Sequence, residues 1–255
     1  GFIGAFIAVG VNLLPTQYAV AAPVEPQDYA VTASHSVGSY MRQYAPSGST
    51  EFDPGTGAFT VESWIKPSST CDTVNCSYVS KELAYVFAVN SGTYYYAIGN
   101  GTNWYPGWVD TRVRANLDQW QHVAWIRSGQ SITLVINGIQ VYTNSTGINT
   151  ANINVQSGNA FVIGGRTPYS AEGFDGLIDE VRFYKSARTV SEINDEKDRT
   201  LTQAELSSSA LTGYWDFNDA SADGQRVRSV QNLAANGSAN SNLMSLHYGE
   251  FFFQQ

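Results

Sequence analysis

The sequence predicts a mainly β protein: an antiparallel jelly-roll sandwich with an apolar α-helix at its N-terminus. Three observations predict it. Short runs of alternating apolar and polar residues recur from about residue 29 to residue 184, with turn residues between them. An Asn-Gly pair separates two such runs, the strongest local sign of a hairpin. Charged residues make up only 14% of the chain, while Gly, Ser, Thr, Asn and Tyr abound, a composition of strands and turns. Strands at this spacing, with no helices between them, stack as two sheets. A chain of 255 residues buries a full core in such a fold without metal.

The first element is GFIGAFIAVGVNLLPTQYAVAA, residues 1–22, which carries no charge. As a helix at ~1.5 Å per residue it would match a hydrocarbon core of about 30 Å. Three readings stand. It is a secretory signal, with Ala19-Val20-Ala21 as the cleavage pattern. It is a membrane anchor, weakened by Asn12, Pro15 and Gln17. Or it is an assembly helix, first in the membrane and then in a filament core. Phe2, Ile3, Phe6, Ile7, Val11, Leu13 and Leu14 supply its apolar surface. Gly4 and Ala8 are spaced for close helix approach, and Pro15 removes a backbone hydrogen bond and bends or melts a turn. The stretch resembles the N-termini of type IV pilins and their archaeal relatives, over these residues only. That resemblance implies an uncharged helix bundled with its neighbours in a homopolymer. It also implies the membrane as a partner before assembly and a cell-surface, extracellular filament afterwards. Bacterial members begin with Phe or Met and carry Glu at the fifth position. Here Gly1-Phe2 open the chain and Ala5 stands fifth, which fits the archaeal type better. Pro23 and Pro26 end the helix and stiffen a linker over residues 23–28.

The body is read as one sandwich over residues 29–255. FTVESWIKP (59–67) alternates Phe59, Val61, Ser63 and Ile65 on one face. WQHVAWIRSG (120–129) sets Trp120, His122, Ala124 and Ile126 against Val123 and Trp125. SITLVI places Ile132, Leu134 and Ile136 together, and Asn137-Gly138 then predicts a type I′ turn into IQVYTN. AFVIGG (160–165) and GLIDEVRFY (176–184) add further strands. Thr189 to Glu192 and Thr202 to Glu205 read as capping boxes that open short helices. In order and spacing, the segments at 59–67, 120–141 and 162–165, with FDGLIDEVRFYKSARTVSEI, resemble the laminin-G-like, concanavalin-A-like jelly-roll family. The resemblance implies two stacked antiparallel sheets and binding of carbohydrate or protein, or a spacer role. In that family a motif like GYWDFND often forms the first strand. Here it lies within the C-terminal segment 211–255. That segment therefore either completes its own sandwich by permutation or is donated to a neighbouring subunit. HYGEFFFQQ (247–255) is too apolar for a free tail and predicts a strand, buried in the sandwich or at an interface.

The net charge of −8 and the lack of a basic stripe exclude a nucleic-acid partner. Glucanases on this general fold need two carboxylates about 5 Å apart across the sugar. Glu172 and Asp175 fall at a turn. Asp179 and Glu180 are adjacent, so on a regular strand they face opposite ways. No catalytic residue is assigned, and His35, His122 and His247 lack metal-ligand spacing. Cys71 and Cys76 flank polar, turn-like residues and predict a local disulfide and an oxidising compartment. Asn75, Asn100, Asn144 and Asn236 head Asn-x-Ser/Thr sequons, glycan sites where the host has the machinery. The family resemblance allows one structural calcium ion at a loop rim. Calcium takes about 6–8 oxygen ligands from distant loops, and Asp53, Asp110 and Asp175 are loop carboxylates, none of them assigned. No cofactor is required. Trp104, Tyr105 and Trp108 lie among Gly, Asn and Pro, so they sit on a loop and are the candidate sugar-stacking residues. The expected function is a structural subunit of an extracellular filament with a lectin-like adhesion domain on its surface. The alternative is a secreted or membrane-anchored carbohydrate-binding module that does not polymerise. Neither is an enzyme.

Overall fold

The structure, a computed structural model, describes residues 30–43, 50–145, 154–218, 226–227, 229–234, 243–248 and 251–254. The expected apolar helix with its assembly residues Phe2 to Pro15, and the linker over 23–28, lie outside the described residues. Among those described, no helix is long and apolar enough to cross a membrane.

The described strands form two antiparallel sheets. The first runs in space β10 (Ile139–Asn144), β9 (Ser131–Ile136), β8 (Gln121–Ser128), β3 (Phe59–Pro67), β12 (Gly176–Tyr184), β1 (Ala30–Ala33), β17 (Phe251–Gln254) and β14 (Arg226–Val227). β13 (Leu211–Trp215) also pairs with β12. The second runs β15 (Ser229–Gln231), β16 (Leu243–Tyr248), β2 (Tyr40–Gln43), β11 (Phe161–Ile163), β4 (Asn75–Lys81), β5 (Tyr85–Asn90), β6 (Thr93–Ile98) and β7 (Val109–Arg114). Successive strands that change sheet are the mark of the jelly roll. The hairpin between β9 and β10 closes through Asn137 and Gly138 at φ 50° and 76°, the left-handed pair a type I′ turn requires.

Between the sheets lies an aromatic core. Phe87 stacks on Trp125 at 5.2 Å, Phe52 on Phe161 at 4.6 Å, and Phe161 on Trp215 at 5.2 Å. Such pairs contribute about 0.5–1.5 kcal/mol each beyond the area they bury. Tyr94 and Tyr96 point inward and are fully buried, while Tyr95 between them is half-buried. Cys71 and Cys76 form a disulfide that ties a one-turn 3-10 helix to the start of β4, and both are buried in this core.

Two expectations from simple alternation need correction. β3 is buried on both faces, not on one. Phe59, Val61 and Ile65 enter the core, but Trp64 packs outside with Trp120 and Ala30 and donates to the Lys197 carbonyl at 2.7 Å. The cause is a second layer on the first sheet. There α1 (Val190–Glu196), opened by a Thr189–Glu192 capping box, seats Ile193 on Ala124, Ile126 and Val135. A second capping box, Thr202 with Glu205, opens α2 (Gln203–Leu206). Nor do Asp179 and Glu180 face opposite ways. A bulge leaves Glu180 at φ 52°. Asp179 lies opposite Trp64 on the outer face, and the Glu180 carboxylate reaches Arg182 and Tyr214 in the same layer.

The C-terminal strands lie on this chain's own sheets. β13 continues the edge of β12 that β1 begins, pairing Val181 with Trp215 and Tyr184 with Leu211. Farther on, β16 pairs with β2 and β17 with β1.

Candidate functional site

Two loops and one tight turn meet at one end of the second sheet. The turn is residues 81–85, between β4 and β5, with Leu83 at φ 61°. The loop of residues 99–108 leaves β6 across this turn. Gly99 donates to the Ala84 carbonyl at 2.7 Å, and a Cβ there would lie 2.3 Å from the Leu83 carbonyl oxygen. Gly101, at φ +92°, donates to that same Leu83 oxygen at 2.8 Å. Only glycine lets the loop sit this close. The Asn100 side-chain oxygen accepts from the Thr102 and Asn103 amides at 3.1 and 2.9 Å, which folds the loop tip. Tyr105 then donates its backbone N–H to Ile98 at 2.7 Å. The loop so braced presents Trp104 half-buried and leaves Tyr105 and Trp108 exposed by 40% and 37%.

The second loop, residues 164–175, adds two residues that the sequence alone did not single out. Arg166 is 5% exposed and lies under Trp104, Trp108 and Tyr169, with its guanidinium carbon 5.4, 5.2 and 4.3 Å from the three ring centroids. Glu82 accepts from it at two positions, 2.6 and 3.1 Å, and Glu172 at 2.7 Å. Burial works against the Arg166 charge, but the bonds to Glu82 and Glu172 outweigh it and hold its pKa above the ordinary arginine value. A cation facing an aromatic ring gains about 0.5–2 kcal/mol, more as water is excluded. Arg166 thus locks rings from both loops around one fixed charge, while Tyr169 remains 46% exposed. Tyr169 could have been flagged from RTPYS by the same rule that flagged Trp104: an aromatic among turn residues. Nothing in the sequence indicates that the two loops meet.

Beside the rings opens a groove of about 330 Å³, walled by Thr50, Asp53, Asn100, Thr102, Gln156 and Ser157, with Gly101 and Gly158. Asp53 accepts the Ser157 N–H at 3.1 Å and faces Lys81 at 3.4 Å. Burial raises the Asp53 carboxyl and lowers the Lys81 ammonium from their ordinary values, and each offsets the other in part.

The three carboxylates considered for a calcium ion each accept hydrogen bonds within the fold, and Asp110 lies in β7, not on a loop. Asp175 accepts from the Ser68 hydroxyl and the His35 N–H, Asp110 from the Arg112 N–H, and Asp53 from Ser157. Among the described residues no three His, Cys, Asp or Glu side chains converge on a metal position. Glu172 is held by Arg166 and Glu180 by Arg182, so neither forms half of an open carboxylate pair. His35 binds the Gly173 carbonyl at 2.8 Å, His122 is buried beside Glu62, and His247 lies in β16. Of the sequon residues, Asn100 and Asn144 are half-buried. Asn75 has its side-chain oxygen buried, and Ser77 after it is buried too. Asn236 lies outside the described residues.

The molecule is thus a jelly roll that carries solvent-facing rings on its end loops. Residues 38–194 match the Laminin_G_3 family, the concanavalin A-like lectin/glucanases superfamily, and the chain belongs to it. No curated protein matches the chain. A putative carbohydrate binding protein from Bacteroides ovatus superposes with a TM-score of 0.61 at 15% identity, covering 88% of this chain. The match spans 60% of that protein's length. The CBM40 of the Ruminococcus gnavus IT-sialidase, solved with α2,3 sialyllactose, gives a TM-score of 0.50 at 15% identity, over 68% of this chain and 98% of that one. A heptameric SAP-like pentraxin from Limulus polyphemus gives 0.49 at 18% identity, over 67% of this chain and 82% of its own.

Proposed function

We propose that the chain is a non-catalytic carbohydrate-binding and adhesion module, acting outside the cytoplasm, with its site on the loops 99–108 and 164–175. The observation that carries this reading is the set of rings of Trp104, Trp108 and Tyr169 held around Arg166. Rings fixed in this way keep an apolar face toward solvent, where the apolar face of a sugar ring stacks with little ordering cost. Tyr105 extends the same surface. The sugar-binding names of the Bacteroides and Ruminococcus proteins support the reading. The buried disulfide supports an oxidising, extracellular setting.

The module reading stands ahead of the filament-subunit reading, because the latter depends on residues 1–22, outside the described residues. A glycan array probed with the protein and with Trp104→Ala and Trp108→Ala tests it. Binding to a defined set of glycans, lost in both variants, is the expected result. Unchanged binding in both would remove this site.

A further inference from the structure

The aromatic rings and the polar groove are parts of one surface. Asn100 walls the groove, and its side-chain N–H₂ reaches the Tyr105 hydroxyl at 3.5 Å. Thr102 of the groove and Trp104 of the rings are two residues apart in the same loop. The halves differ in chemistry. The rings offer apolar faces, whereas the groove offers hydroxyl, amide and carboxylate groups that both donate to and accept from sugar hydroxyls. At about 330 Å³ the groove is at the small end of the ~300–1,000 Å³ range of ligand sites. It therefore suits one small unit of a larger ligand, with the remainder passing onto the rings.

The charges of this surface are Arg166, Lys81 and Lys185, whose ammonium donates to the Thr50 carbonyl of the groove wall, against Glu82, Glu172 and Asp53. Cations and carboxylates balance here, in a chain whose net charge is −8. Arg166 is engaged by two carboxylates, so it is a poor anchor for a third. An anionic sugar entering here finds Arg166 and Lys81 already paired with carboxylates, in a chain of net negative charge, which disfavours it.

We propose that the ligand is an uncharged oligosaccharide, with one sugar ring stacked on Trp108 and Tyr169 and the adjoining unit held in the groove. This rests on the reading of the aromatic loops as a sugar platform. Gly158 provides the test. A Cβ built there meets nothing within 4 Å and its backbone is outside the left-handed region, so Gly158→Trp sets a bulky side chain at the groove wall without disturbing the fold. Gln156→Ala, on the exposed groove wall, is the milder variant. The probes are neutral gluco-, galacto- and manno-oligosaccharides graded from monosaccharide to tetrasaccharide, and counterparts carrying sialic acid or uronate.

The expected result is that longer neutral glycans bind more tightly than monosaccharides. Gly158→Trp should remove that gain, about tenfold or more, while monosaccharide binding stays. Gln156→Ala should reduce it in part. If Trp108→Ala abolishes binding but Gly158→Trp leaves the length dependence intact, the groove is no subsite and the proposal falls while the platform stands. Tighter binding of the acidic probes overturns the charge argument. Failure of every probe to bind, or binding indifferent to Trp108→Ala, overturns the platform reading itself.

Discussion

Arg166 and Arg182 are built from the same parts and serve different ends. Each is almost fully buried, lies over an aromatic ring and is paired with glutamate. Arg182 sits between β12 and the helical layer. It donates to the Glu196 and Arg199 carbonyls at 3.0 and 2.7 Å, pairs with Glu180 and lies 5.3 Å from the Tyr214 ring. Tyr214 is itself buried and gives its hydroxyl to Glu180 at 2.7 Å. The side chains it pairs with, Glu180 and Tyr214, therefore face protein. Arg166 is as deep, yet the rings above it face water. A buried ion pair is weak evidence of purpose in either place. The direction in which its partners look separates a device that fastens layers from one that presents a surface.

The largest effect should come from deleting the two arginines in turn. Arg182→Ala leaves the Glu180 carboxylate buried without its cation and frees the Glu196 and Arg199 carbonyls, a loss of about 3–5 kcal/mol. Equilibrium denaturation should show the lower midpoint. Arg166→Ala leaves Glu82 and Glu172 nearer solvent and should cost less, about 1–3 kcal/mol, but it should abolish glycan binding as the three rings lose their common support. If the two variants lose stability equally, the division between fastening and presenting is wrong.

The fastening layer also titrates. His122 is fully buried, with its Nε2 3.4 Å from the Glu62 carboxylate. Burial lowers its pKa below the ordinary histidine value, Glu62 offsets this in part, and Arg182 and Lys197 push the same way as burial. In the fold His122 therefore takes up its proton at lower pH than in the unfolded chain. Stability should be full above the unfolded value of about 6.5 and decline as pH falls below it. Thermal melts between about pH 8 and 5 should show that decline, and His122→Gln should flatten it. A midpoint independent of pH in the parent protein would mean that His122 is already charged in the fold.

The strands were legible because runs of β-branched and aromatic residues stand between turn residues, although their burial does not alternate. The runs 59–67, 139–144 and 176–184 are β3, β10 and β12 to the residue. Asn137-Gly138 specified its turn because few other residue pairs accept two left-handed positions. What period could not show was the outer layer. Trp64 and Glu62 alternate with core residues of β3, yet α1 and the segment after it bury them as well. The bulge at Glu180 was hidden too, since nothing local marks a glutamate for φ 52°. At the candidate site the exposed aromatics of 104–108 were visible as a loop composition. Arg166 and Tyr169 were not, because their role exists only where a loop some sixty residues later crosses the first.

The smallest expected change in stability gives the sharpest test of the contrast. Tyr169 is 46% exposed and touches the fold mainly through its ring on Arg166. Tyr169→Ala should shift stability by about 0.5–1 kcal/mol, the value of one exposed cation–π contact. Tyr214→Ala, the matching change over Arg182, empties a buried site and strands the Glu180 carboxylate, and should cost about 3–5 kcal/mol. The order reverses in binding. A stacked ring contributes about 0.5–1.5 kcal/mol, so Tyr169→Ala should weaken glycan binding by up to about tenfold. Tyr214→Ala should leave the affinity of its folded fraction unchanged. Calorimetric titration beside a thermal melt reads both axes on the same samples. Two tyrosines over two buried arginines, one affecting only stability and the other chiefly binding, would locate the function in which way a ring faces and not in the ion pair beneath it.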